Sequence, residues 1–312
     1  MGRKKIRNSK RVGIIFFAVI VISAIIFGTD IFSINERNNT EQSAAAQNQD
    51  INSAEPQETN QNFVSEGDLE VYFIDVGQAD SILIINKNET MLIDAGNNAD
   101  GKDVVKFIKD KGIATLNYVV GTHPHEDHIG GLDDVINEFE VKEVWMPNVQ
   151  TTTKTFTDVL TAIQSKNLKI KTPEVGYKFE LGDSKGEVMS AMIDDKNLNI
   201  SSIVIRLEFG NESFLFMGDA ETKNESARKW PKSNVLKVGH HGSSTSSSEE
   251  FLNQVKPEYA VIMTEKGNDY GHPHKEILER LEKIGAKIYR TDQNGTITIS
   301  TDGNSLDIKT EK

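Results

Sequence analysis

Apolar positions along the chain fall into one long block, then a gap, then a series of short runs. The block, Val12 to Gly28, reads VGIIFFAVIVISAIIFG without a charge. As a helix it would span about 26 Å, slightly short of a hydrocarbon core of about 30 Å. Six basic residues (Arg3, Lys4, Lys5, Arg7, Lys10, Arg11) and no acid precede it. The exit, Ile26-Phe27-Gly28-Thr29-Asp30, has no small-x-small cleavage site, so the block reads as an uncleaved anchor rather than a signal peptide. Basic flanks stay inside, which sends the rest of the chain outside. From Asn35 to about Asp68 the residues are mostly Asn, Gln, Glu, Ser and Ala. Such a stretch buries too little apolar surface to offset its ordering entropy, so a flexible tether is expected. The resulting division is a basic cytoplasmic tail (1–11), a single transmembrane anchor (12–34), a linker (35–68) and one domain (69–312), with the domain outside the cell membrane.

Within 69–312, β-branched runs alternate with amphipathic stretches. LEVYFID (69–75), DSILIIN (80–86) and TMLID (90–94) read as consecutive strands separated by Gly- and Asn-containing turns. Val104, Val105 and Ile108 share a helical face that stops at Gly112, and LNYVV (116–120) is a buried strand. A helix is expected from about Ile129 to Phe139, then the strand VKEVWM (141–146) and a helix around 156–165. Further strands fall near 187–193, 201–208, 213–217, 234–238 and 258–263, with helices near 221–230, 248–255 and 277–284. Strands near 286–290, 296–300 and 305–309 close the chain. The pattern predicts sheets covered by helices, an α/β domain.

Composition narrows the chemistry. The 312 residues contain no cysteine, which excludes disulfides, thiolate metal sites and cysteine nucleophiles. Any metal must be held by histidine, carboxylate or water. Net charge is −12, but outside the six basic residues of the tail 29 bases face 47 acids, a balance of −18. Such a surface repels polyanions, which argues against a protein that coats DNA through basic patches.

All seven histidines lie in three clusters. Thr122-His123-Pro124-His125-Glu126-Asp127-His128 follows the LNYVV strand, His240-His241-Gly242 follows NVLKVG, and His272-Pro273-His274 lies on a later loop. Phe214-Leu215-Phe216-Met217 likewise runs into Gly218-Asp219. His123 and His125 can point to one side of an extended segment and clamp one ion. Asp127 and His128 can face a second position nearby. Two ions about 3.5–4 Å apart need a bridge, and a carboxylate such as Asp219 suits that role.

These residues make the chain resemble the metallo-β-lactamase fold superfamily, whose signature is H-x-H-x-D-H. It is most similar to the extracellular hydrolase domain of the competence DNA-channel protein ComEC and its free-standing relatives. The resemblance rests on Phe73–Ser81 (FIDVGQADS), Leu92–Gly96 (LIDAG), His123–Gly131, Met217–Ala220 (MGDA), Leu236–Ser243 (LKVGHHGS) and Tyr270–Pro273 (YGHP). It covers about 65 to 312 and implies a four-layer αββα sandwich. The channel's pore region has no counterpart in the chain.

The resemblance implies His123 and His125 on one ion, Asp127 and His128 on the other, and Asp219 between them. The His240–His241 pair would supply one more ligand to the second ion; His240 is favoured, though spacing does not separate the two. Asp94 would orient a ligand histidine, and Asp80 is a candidate for the same part or for a turn aspartate. No histidine occurs between His128 and Asp219, where most of the superfamily has one; the region reads Asn197-Leu198-Asn199-Ile200-Ser201-Ser202. The first ion would then lack a protein ligand. Gln78-Ala79-Asp80 has Ala where the family often has Gly.

With nitrogen and oxygen ligands alone, one or two divalent ions such as zinc or manganese are admissible, as is iron. Water of lowered pKa would attack, making Asp127 and His272 the catalytic candidates; His272 would touch substrate or protonate the leaving group. His274 and Ser243–Ser248 read as structural or solvated. The expected function is metal-dependent hydrolysis of a phosphodiester, with DNA as substrate. The alternatives are a cell-surface phosphodiester (a phosphocholine or teichoic-acid ester), less readily a β-lactam, and a binding module that kept only the fold. The intact H-x-H-x-D-H speaks against the last.

Overall fold

The computed structural model describes residues 68–312. The expected tail, membrane anchor and nearly all of the linker fall outside the described residues. Among the described residues, no helix is long and apolar enough to cross a membrane.

Among the described residues, fifteen strands form two sheets. In chain order, β1 (Leu69–Phe73), β2 (Ile82–Asn86), β3 (Glu89–Ile93), β4 (Thr115–Val120), β5 (Glu140–Trp145) and β6 (Ile170–Lys171) build most of the first. Then β7 (Lys178–Leu181), β8 (Ser184–Ser190), β9 (Val204–Phe209), β10 (Glu212–Phe216), β11 (Val235–Lys237), β12 (Tyr259–Ile262) and β13 (Lys287–Arg290) build the second. The chain returns with β14 (Ile297–Thr301) and β15 (Leu306–Thr310) to the edge of the first sheet, beside β1. Antiparallel hairpins start each sheet, while β3-β4-β5-β6 and β10-β11-β12-β13 are parallel.

Side-chain alternation sorts the core into three layers of contact. Val71, Phe73, Ile84, Met91 and Ile93 of the first sheet meet Ile205, Leu207, Phe214, Phe216 and Val261 of the second. Their neighbours Tyr72, Leu83 and Leu92 turn the other way, onto the helices Gly101–Asp110, Leu132–Glu138 and Lys154–Ser165. Leu215, Leu236 and Ala260 turn outward onto the helices Glu249–Val255 and Lys275–Lys283. The arrangement is helix, sheet, sheet, helix, as expected.

Two expected helices come out differently. The helix expected over 129–139 is split into Glu126–Ile129 and Leu132–Glu138 at Gly130-Gly131. A Cβ on Gly131 would lie 2.4 Å from the Ala95 carbonyl oxygen, so only glycine lets this segment press against the loop after β3. The helix near 221–230 is confined to Thr222–Ser226. The 3₁₀ turn Leu198–Ser201 and the short strands β6 and β7 were not expected from the pattern.

Candidate metal centre

Loops at one end of both sheets meet between the layers. Asp94 ends β3 in a left-handed conformation (φ 59°), one that aspartate tolerates better than most residues. Its Oδ1 accepts from the Thr122 amide at 2.8 Å and its Oδ2 from the Thr122 hydroxyl at 2.7 Å. The same Oδ2 lies 2.8 Å from His128 Nδ1. His128 thus turns Nε2 inward, 3.2 Å from Asp219 Oδ1.

His241 is oriented in a parallel way. Its Nδ1 donates to the Met263 carbonyl at 3.0 Å, and its Nε2 lies 3.3 Å from Asp127 Oδ2 and 3.5 Å from Asp219 Oδ1. Donor atoms of Asp127, His128, Asp219 and His241 all lie within 4.8 Å of one another. Three of these buried atoms, His128 Nε2, Asp219 Oδ1 and His241 Nε2, have no hydrogen-bond partner. Leaving them orphaned would cost about 1–3 kcal/mol each. A divalent cation is the ligand that such a converging set of nitrogen and oxygen donors fits.

The other carboxylate oxygen serves a second group. Asp219 Oδ2 lies 3.8 Å from His123 Nε2, and His123 Nε2 is 2.9 Å from His125 Nδ1. These three residues again bring donor atoms within 4.8 Å. Asp219 therefore turns one oxygen to each group. Its backbone is fixed by Ser202 Oγ, which accepts from the Asp219 amide at 3.1 Å.

Every residue expected in the centre is brought to it, but the histidine pair is divided. His240 and His241 both take left-handed conformations, φ 49° and 51°, and point to different neighbours. His241 joins the four-donor group, in place of the favoured His240. His240 stands on the three-donor side, with Nε2 3.7 Å from Asp219 Oδ2 and Nδ1 2.9 Å from Thr245 Oγ1. Asn199, from the 3₁₀ turn, sets its amide nitrogen 3.3 Å from His240 Nε2. Its Oδ1 is buried without a partner, in the segment that lacks the family's extra histidine.

Charge follows from this packing. Burial alone would lower the pKa of His128 and His241, but Asp219 and its neighbouring carboxylates outweigh it. His128 is held well above its ordinary value and His241 is pushed up to about 10. Burial would raise Asp219, yet the positive His128 and His241 hold it well below the usual range. His123 goes the opposite way, lowered well below its ordinary value by burial and by His128.

A cleft of roughly 300 Å³ opens over the centre, lined also by Gln78, Tyr270 and His272. Gln78 Oε1 accepts from Thr264 Oγ1 at 2.8 Å and the Glu265 amide at 3.2 Å. Its amide nitrogen is therefore the donor toward His272 Nδ1, at 3.4 Å. That leaves the imidazole proton on Nε2. Burial, then the positive charge of His241, lowers His272 to about 4, so it is neutral near pH 7. His274 accepts from the Ser244 amide through Nδ1 at 2.8 Å, a structural contact as expected.

The sequence reading missed Lys237. It is fully buried, with Nζ 2.6 Å from Asp80 Oδ2. The available signal was a lysine on the same strand face as Val235, where alternation calls for an apolar residue.

The profile of the metallo-beta-lactamase superfamily matches residues 74–265. The chain belongs to that superfamily. ComE operon protein 3 of Bacillus subtilis is 32% identical over 256 residues, 75% of this chain and 33% of that protein. Competence protein ComA of Neisseria gonorrhoeae is 31% identical over 242 residues, 75% of this chain and 32% of that protein. The chain thus spans about a third of the length of these curated relatives. The structure of Igni18, a metallo hydrolase from Ignicoccus hospitalis, shares the fold with a TM-score of 0.51 at 14% identity, covering 74% of this chain and 99% of that one. Membership places the domain among the superfamily's metal-dependent hydrolases, and the clustered histidines and aspartates are its candidate metal-binding groups.

Proposed function

We propose that the chain is a membrane-anchored phosphodiesterase that uses two divalent ions and cleaves DNA outside the cell. The observation that carries this reading is Asp219, whose two oxygens each face a separate set of donors. In this reading Asp127, His128, Asp219 and His241 would hold one ion, and His123, His125 and Asp219 the other. When bound, such ions supply Lewis-acid charge for a phosphoryl oxygen and lower the pKa of water. The chain's own residues prepare that chemistry. Asp94 and the Met263 carbonyl keep Nδ1 of His128 and His241 engaged, so both Nε2 atoms point toward Asp219 and would be free to bind an ion. His272 keeps its proton at Nε2, on the cleft wall, where it can donate to a substrate oxygen.

The competence names of the relatives support DNA as the substrate. A second reading, a surface phosphodiester with a cationic head such as phosphocholine, is favoured by the cleft mouth. There Asp100, Asp127 and Glu265 stand with Tyr270, which is 68% exposed. Carboxylates repel a polyanion, and an open aromatic ring attracts an ammonium group.

A panel decides between them: single-stranded and duplex DNA, bis-p-nitrophenyl phosphate, phosphocholine esters and nitrocefin, each with manganese or zinc added. DNA cleavage is expected. Phosphocholine-ester turnover alone would keep the chemistry and replace the substrate, and nitrocefin turnover alone would overturn both. Protease added to intact cells is expected to release the 69–312 region, and complete protection would overturn the topology.

A further inference from the structure

Lys237 occupies a position built for an apolar side chain. On β11 it pairs with Phe216 of β10 and Val261 of β12, both core residues between the sheets. Among the described residues, no other lysine or arginine is buried. Taking an ammonium group there costs several kcal/mol unless it is paired. Its Nζ donates to the Val238 carbonyl at 3.0 Å and meets Asp80 Oδ2 at 2.6 Å.

Asp80 belongs to the opposite sheet, on the loop between β1 and β2. Its amide donates to the Asp127 carbonyl at 3.0 Å, and its carbonyl accepts from the Gly96 amide at 2.8 Å. Its backbone is therefore tied to the segment that carries Asp127 and His128. Its side chain reaches across to Lys237 and to within 3.4 Å of His241 Nδ1, while staying 4.0 Å from His128 Nδ1 of its own sheet. The four-donor group is split along the same line, with Asp127 and His128 from the first sheet and Asp219 and His241 from the second. On the three-donor side the sheets are joined by a backbone bond instead, from the Ile203 amide to the Thr122 carbonyl at 3.0 Å.

We propose that Lys237 is a positioning residue: its ammonium clamps Asp80, and the clamped carboxylate holds the two halves of the four-donor group in register before an ion arrives. This rests on the metal centre assigned above. A purely structural role would not call for charge, because a buried ion pair can be replaced by apolar residues without loss of stability.

The test uses the full chain as wild type, Lys237→Met, and the double variant Asp80→Leu/Lys237→Met. Metal-free thermal unfolding is followed by circular dichroism, and cobalt(II) is titrated by visible absorption. His123→Ala identifies which ion is which. The double variant is expected to unfold within a few degrees of wild type. It is expected to bind the four-donor ion about 10–100-fold more weakly, the size of an outer-shell loss, with the other ion unchanged. Wild-type affinity at both sites in the double variant would overturn the proposal. So would failure of the double variant to fold, since the pair would then serve the core. A wild type that binds no cobalt would instead overturn the centre itself, and the proposal with it.

Discussion

The two donor groups that share Asp219 are built to different standards. The group of Asp127, His128, Asp219 and His241 is backed behind both of its histidines: Asp94 under His128, Met263 and Asp80 under His241, Lys237 under Asp80. The group of His123, His125 and Asp219 has one donor fewer and lies beside Asn199 and His240, and both groups reach the cleft. Four donors, three of them buried, favour a tightly kept ion, while a group of three leaves more room for water or a substrate oxygen. In the proposed two-ion reading, this difference would make the first group the retaining side and the second the exchanging side.

Asp219→Ala tests whether the two sides are joined. Both ions should be lost by elemental analysis, and phosphodiester turnover should fall by more than the roughly 100-fold of an outer-shell loss. Retention of one ion would mean that Asp219 serves a single group. Asp94→Asn acts on the backed side alone. Calorimetric titration should show that ion bound about 10–100-fold more weakly, with the open side unchanged. His240→Ala touches the open side without removing a donor from the four-donor group. Metal content should stay within error of wild type while turnover falls by about tenfold, the worth of one hydrogen bond of about 1.4 kcal/mol. Loss of the tightly held ion in that variant would reverse the roles of the histidine pair.

Proton release gives the smallest signal and the sharpest contrast. In the metal-free protein His128 and His241 have raised pKa values, His241 to about 10. Their contribution to stability is fully present below the unfolded value of about 6.5 and is lost as pH rises through the folded values. The metal-free unfolding midpoint should therefore fall by several degrees between pH 7 and pH 10. Loading the backed side at pH 7 should release protons, read by calorimetry in buffers of different ionisation enthalpy. His123, held neutral by burial, should release none there. Equal release from both sides would erase the contrast.

Much of this centre was legible in the linear text because its parts sit at strand ends. LNYVV, FLFM and NVLKV each run out of the core into polar residues, and a buried strand that ends in His or Asp delivers those groups to a sheet edge. Asp94 was legible for the same reason, as the last residue of TMLID. The 3₁₀ turn that carries Asn199 was not, since its four residues have no period to read.

The sequence by itself determined the alternation of strands and helices, the absence of thiol chemistry and the set of residues that could bind metal. Those properties are local: a side chain's type and its spacing from its neighbours decide them. Only the tertiary structure decided which of His240 and His241 joins Asp127, because two adjacent residues with left-handed backbones point by packing and not by alternation. Lys237 shows the same limit. On its own strand it is a misplaced charge, and the carboxylate that accounts for it lies 157 positions earlier, on a loop of the facing sheet.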